Sequence, residues 1–154
     1  MAQVKEFSLP DELYYDTKEH IWARREDGRV RLGLDAFAAC AAGTVAYIKL
    51  LPAGREVKKG RAFGSLEAGK YIGPLKAPVS GRIQDRNEEV LANPRLVNTD
   101  HYDQGWFVVL EPTSLEEDLR DLVHGPAVQP WLEKELAEYE TKGMIKKEAE
   151  RQCV

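Results

Sequence analysis

Two cysteines in 154 residues, Cys40 and Cys153, are too few for the disulfide framework of a small secreted domain, and their wide separation fits no paired zinc-ligand spacing. No structural metal is expected. No apolar run approaches the roughly 20 residues that span a bilayer, and the opening MAQVKEFSLPDELYY lacks the positive start and apolar core of a targeting segment. The expected location is the cytoplasm, with no membrane partner. Acids and bases are interspersed to a net charge of −4 without a basic stripe, so the electrostatic footprint of a nucleic-acid binder is missing. A protein or a small molecule is the partner class that remains. Also missing are a hydroxyl or thiol nucleophile beside an evident base, a cluster of metal ligands and a glycine-rich phosphate loop. Nothing marks the chain as a freestanding enzyme, and no catalytic residue is assigned.

What is present reads as a mainly β (α+β) chain with room for one ordinary domain. Asp27-Gly28 separates HIWARRE from RVRLGL and predicts a tight hairpin between strands near His20–Arg25 and Arg29–Leu34. DAFAACAAG, with the capping candidate Asp35 and the terminal Gly43, predicts a short helix near 35–42. Short strands then follow at close intervals: TVAYIKLL, AFGSLE, an irregular extended YIGPLKAPV, RIQDRN and WFVVLEP. Gly and Pro divide them, which favours a sandwich or barrel over a parallel sheet. Beyond Pro112 the composition turns helical. Ser114 and Glu117 have the spacing of a capping box, and Leu115, Leu119, Leu122 and Val123 would share one face before Gly125-Pro126. A second helix is predicted over Val128–Glu140, with Val128, Trp131, Leu132, Leu136 and Tyr139 as its apolar stripe docked on the β core. The charged terminal piece GMIKKEAERQCV is expected to fray. The division is thus a β domain over 1–112 and a helical extension over 113–154 packed on it.

The segment GSLEAGKYIGPLKAPVSG places Lys70 at the tip of a hairpin. A lysine on a turn is ordinarily a solvated cation. Its surroundings add something: Gly43-Thr44-Val45 is echoed by Gly81-Arg82-Ile83, and Lys70 lies between the copies. A duplication of this kind would set two half-sheets face to face with the connecting hairpin projecting at one end.

Tyr15-Asp16-Thr17-Lys18-Glu19-His20-Ile21-Trp22, Glu67 three residues before Lys70, Pro78-Val79-Ser80-Gly81, Leu96-Val97-Asn98-Thr99-Asp100 and Gly105-Trp106 occur in that order. Together they resemble the glycine cleavage system H protein family, over about Leu13 to Glu111. The resemblance implies a barrel-sandwich hybrid (hammerhead) fold of lipoyl type and a carrier, not an enzyme, with lipoate held by an amide to Lys70. Implied partners are a lipoate-attaching enzyme, dihydrolipoamide dehydrogenase and the glycine cleavage enzymes; a monomer is expected. Glu67 would help the attaching enzyme select this lysine, although a solvated strand charge is the plainer reading. His20 would line the groove where a loaded arm rests, or be a satisfied structural histidine.

The tip departs from the family pattern. Glu67-Ala68-Gly69-Lys70-Tyr71 stands where ordinary members read roughly Glu-Ser-Val-Lys-Ala. Gly69 is expected to supply the positive φ that a tight turn can require, Tyr71 to set a ring beside the arm, and Gly73-Pro74 to stiffen and redirect the departing strand. These departures look more like the H-like lipoate-binding proteins associated with heterodisulfide-reductase-like sulfur oxidation, and that subgroup is the expectation, with the complex as partner. The glycine-cleavage carrier of an aminomethyl group is the alternative. Cys40 and Cys153 are redox candidates that could exchange with a lipoyl dithiol or pair with each other, while a lone cysteine in an alanine-rich helix is most often a small buried hydrophobe. Biotin is disfavoured, since Lys70 is flanked by Gly69 and Tyr71 and not by methionines.

Overall fold

The computed structural model describes residues 1–145. Three short strands open the chain: β1 (Ala2–Val4), β2 (Phe7–Leu9) and β3 (Tyr14–Tyr15). The predicted hairpin follows as β4 (Ile21–Glu26) and β5 (Arg29–Leu34). Asp27 and Gly28 both adopt positive φ, 49° and 79°, as a two-residue turn between right-twisted strands requires. Helix α1 (Ala36–Ala42) begins where the Asp35 side chain accepts a hydrogen bond from the Ala38 N–H, and it ends at Gly43, whose φ is 86°.

Next come β6 (Val45–Leu50), β7 (Glu56–Val57), β8 (Ala62–Ala68), β9 (Ile72–Lys76) and β10 (Gly81–Arg86). The extended piece after the tip is a strand only as far as Lys76, and its pairing with β8 is irregular, with a register shift between Ala62 and Gly64. It is not redirected by Gly73-Pro74: β9 pairs with β8 from Ile72 opposite Glu67 to Lys76 opposite Ala62, with Pro74 opposite Ser65. Proline is tolerated because β9 is an outermost strand. Two short helices, α2 (Glu88–Ala92) and α3 (Leu96–Thr99), occupy the stretch before β11 (Val108–Pro112).

Helix α4 covers only Leu115–Leu119. Ser114 sits at ψ 48°, outside the extended region from which a side chain caps, and it makes no cap bond, so the expected capping box is absent. Leu122 and Val123 leave the helical face as well. Val123–His124 form β12, paired with β3 through Val123 opposite Tyr15, and the sheet edge claims residues whose spacing alone suits a helix. A 3-10 turn at Gly125–Ala127 leads into α5 (Val128–Thr141).

Among the described residues the strands form a β1–β2 ribbon, a sheet in the order β12-β3-β4-β5-β11-β10-β7, and a three-stranded sheet β6-β8-β9. The two echoed segments fall in different sheets, β6 in one and β10 in the other. Their inner faces close one core, with Ile48, Phe63, Leu66 and Leu75 meeting Leu32, Ile83 and Leu110. A second cluster lies under α5, where Val128, Leu132 and Leu136 cover Leu9, Tyr15, Trp22 and Phe37. Gly33 is needed there: a Cβ at that position would overlap the Trp22 ring, which is fully buried and donates from Nε1 to the His101 carbonyl at 3.1 Å. No helix among the described residues is long and apolar enough to cross a membrane.

Candidate functional site

Lys70 stands in the bend between β8 and β9, with its backbone fixed and its side chain exposed. The Lys70 N–H donates to the Ala42 carbonyl at 2.8 Å, the Gly69 N–H to that of Thr44 at 3.1 Å, and the Ala68 N–H to that of Tyr71 at 2.7 Å. The tip is thus tied to the segment that leaves α1. That segment is held in turn by Asn98, whose amide accepts from the Val45 N–H at 2.8 Å and donates to the Gly43 carbonyl at 2.9 Å. Lys70 itself is exposed, and among the described residues its side chain has no hydrogen-bond or ion-pair partner. An amine that had to be acylated would be presented in this way.

Gly69 does not play the part the sequence suggests. It is not among the glycines with positive φ, and a Cβ there would meet nothing within 4 Å. The anchoring bonds to Ala42 and Thr44 shape the bend without a left-handed residue. Gly73 is the glycine of the tip that a neighbour covers, since the exposed Tyr71 ring folds back over it and the Tyr71 hydroxyl donates to the Pro74 carbonyl at 3.1 Å. Glu67 is exposed at the end of β8, flanked in register by Tyr47 and Ile72.

Beside the tip lies a cavity of about 420 Å³ that Lys70 and Tyr71 help to line. Leu34, Ala38, Ala42, Leu66 and Leu75 give it an apolar lining, and Lys18, Glu19 and Lys76 add charged groups, with Glu19 and Lys76 3.7 Å apart. Its size and mixed lining are those of a small-molecule site.

His20 also lines the cavity, and the structure gives it a definite state. Asp16 accepts from the Lys18 and Glu19 N–H groups at 2.8 and 3.0 Å, closing a turn that leaves His20 at φ 59° and 2 % exposed. Nδ1 is 2.8 Å from Asp35 and Nε2 is 2.6 Å from Glu135. Burial alone would depress the imidazole pKa, but the Asp35 charge and the hydrogen bonds to Asp35 and Glu135 outweigh it and raise the value to about 10. The ring is therefore a cation that donates from both nitrogens. It stacks on Trp131 and Phe37 at centroid distances of 4.9 and 5.4 Å.

Cys40 is half-buried on α1 and packs against the cluster under α5; it is not among the residues lining the cavity. Cys153 lies outside the described residues. Sequence reasoning gave no role to Glu135, Gly143 or Met144, the last two of which line the cavity, and placed Asn98 in a motif without assigning it a contact. Glu135 had a visible signal, because it stands four residues from both Trp131 and Tyr139 on an otherwise apolar stripe. Lys142-Gly143 after a helical pattern is likewise a helix-stop signal.

Residues 13–135 match the family model described as "Glycine cleavage H-protein". The chain is 42% identical over 118 residues to glycine cleavage system H protein 2 of Aquifex aeolicus, covering 76% of this chain and 73% of that protein. It is 38% identical over 116 residues to the glycine cleavage system H protein of Oceanobacillus iheyensis, covering 75% and 90%. The crystal structure of a glycine cleavage system H protein from Mycobacterium marinum is similar with a TM-score of 0.68 at 27% identity, covering 88% of this chain and 98% of that one.

Proposed function

We propose, on the premise that the chain belongs to the glycine cleavage H-protein family, that Lys70 is its attachment lysine and that it serves as a mobile-arm carrier between glycine cleavage enzymes. Members of that family are carriers with lipoate attached covalently to a lysine. The observation that supports Lys70 is its exposed amine, without a partner among the described residues, on a backbone-anchored bend beside a partly apolar cavity. The fit is good on both counts: the amine is open to an attaching enzyme, and the cavity could shelter an apolar arm. Bound lipoate supplies a five-membered disulfide ring that takes up a group or reducing equivalents on sulfur.

The chain's own residues do the rest. The bonds from Gly69 and Lys70 to Thr44 and Ala42 keep the base of the arm from swinging as a loose loop would. Glu67, exposed beside the tip, is the recognition charge for the attaching enzyme. The partners are then glycine decarboxylase, aminomethyltransferase and dihydrolipoamide dehydrogenase, and the compartment is the cytoplasm. The names of the relatives favour this reading over the sulfur-oxidation one.

A second reading, lipoate-binding protein to a heterodisulfide-reductase-like complex, keeps specific support. The tip carries Gly69 and Tyr71, and the cavity sets Lys18 and Lys76 against the single carboxylate of Glu19 in addition to the internally paired His20, which suits an anionic load better than an aminomethyl cation. Intact mass of protein made in lipoate-replete cells tests the shared part: a lipoyl adduct lost in Lys70→Ala is expected, and a biotin adduct or none overturns it. Glycine-dependent exchange of bicarbonate carbon with glycine decarboxylase then separates the two readings. Exchange driven by the lipoylated protein supports glycine cleavage, and its absence supports the second.

A further inference from the structure

Part of the cavity wall comes from a piece of chain past Glu135, where the family match ends. Tyr139, Gly143 and Met144 line it together with Lys70. Their placement is built in. The Gly143 N–H donates to the Glu140 carbonyl at 3.2 Å and the Met144 N–H to that of Tyr139 at 2.9 Å, the two bonds of a Schellman motif, with Gly143 at φ 70° as its left-handed residue. The reversal turns Met144 back beside Tyr139, and Ile145, 5% exposed, pins the far side in the core under α5. The expected frayed end is therefore fixed as far as Ile145.

Helix α5 is itself clamped to the β core by the His20–Glu135 bond and by Trp131 stacked on His20. Tyr139 packs edge-on to Phe37 at 4.8 Å. Met144 is left 45% exposed beside the cavity. An exposed thioether at the wall of an apolar site is an adaptable surface with half of its contact area unused.

We propose that Tyr139 and Met144 are positioning residues for the modified lysine: they form a wall against which the apolar stem of the arm on Lys70 packs. The C-terminal segment thereby sets the balance between a sheltered and an extended arm. This rests on Lys70 being the attachment site. It goes beyond that reading in giving the balance to residues outside the family match. Removing either side chain shifts the population toward the extended state without touching the attachment.

The sequence supplies its own probe, since the only methionines are Met1 and Met144. With methyl-labelled methionine, the Met144 resonance is expected to shift between unmodified and mass-verified lipoylated protein, while Met1 stays in place. A second measurement reduces the arm and follows iodoacetamide labelling on the Lys70 peptide. Labelling is expected to be roughly three- to tenfold faster in Met144→Ser than in wild type, the loss of one partly covered apolar side chain. Tyr139→Phe keeps the ring and should label as wild type. A verified adduct with an unmoved Met144 methyl and equal labelling rates overturns the wall and leaves the carrier standing; no adduct on Lys70 overturns both.

Discussion

His20 Nε2 lies 2.6 Å from a carboxylate oxygen of Glu135, a residue 115 positions further along the chain. Through this contact the strand that begins at Ile21 holds the helix that carries Tyr139, and the same ring's Nδ1 is held by Asp35 at the start of α1. Three separate segments thus meet on one buried cation.

The contact makes stability depend on pH with a definite sign. The folded-state pKa of about 10 lies above the ordinary 6.5, so the contribution is whole below pH 6.5 and is lost progressively as pH rises to about 10. Urea unfolding across that window should show falling stability in wild type. His20→Asn should lack this component and be weaker by about 3 kcal/mol at pH 6, because the buried Asp35 and the partly buried Glu135 carboxylates lose their charged partner.

Asn98 should govern the rigidity of the tip without touching it. Its amide bridges Val45 and Gly43, and the neighbouring Thr44 and Ala42 carbonyls receive Gly69 and Lys70. Asn98→Ala is expected to cost about 1–3 kcal/mol and to speed hydrogen exchange at the Lys70 amide more than at the amides of β4. Equal changes at both places would show that the bridge has no special reach to the tip.

The glycines of the tip should behave oppositely. Gly69→Ala places a methyl in open space at an ordinary φ, so stability should stay within about 0.5 kcal/mol and the yield of lipoylated protein should hold. Gly73→Ala drives a Cβ into the Tyr71 ring and should displace it, read as a change in Tyr71 ring resonances.

Gly33→Ala should be severe. The new methyl collides with the buried Trp22 indole, which cannot move without losing its bond to His101. A loss of about 1–3 kcal/mol is expected in chemical denaturation, with a shift in tryptophan fluorescence.

The parts of this architecture that sequence could show are those where a local rule and the tertiary setting agree. Asp27-Gly28 demands positive φ wherever it sits, and Asp35 caps α1 through its own side chain, so both elements are legible. The stripe from Val128 to Tyr139 is helical and faces the core, with Val128, Leu132 and Leu136 buried and Trp131 and Tyr139 partly so. Elsewhere the setting won. Val123 has helical spacing, yet pairs with Tyr15 at a sheet edge, and Ser114 takes a backbone angle that no spacing predicts. Lys70 could be singled out because ordered motifs surround it. The roles of the groups that arrange its site are harder to read: Asn98 lies in a motif but acts through the carbonyls of neighbours, Glu135 stands out on its stripe but meets its histidine across most of the chain, and Met144 arrives by a reversal after the helix.

Pro74 carries one last consequence. It sits on the outermost strand close to Lys70, contributes no N–H, and its carbonyl already receives the Tyr71 hydroxyl. At that point the rim of the sheet has no donor for a visiting strand, so zipping of one molecule onto another is interrupted where crowding around a partner would bring copies together. An edge interrupted in this way is a poorer template for strand-to-strand association beside the exposed Lys70.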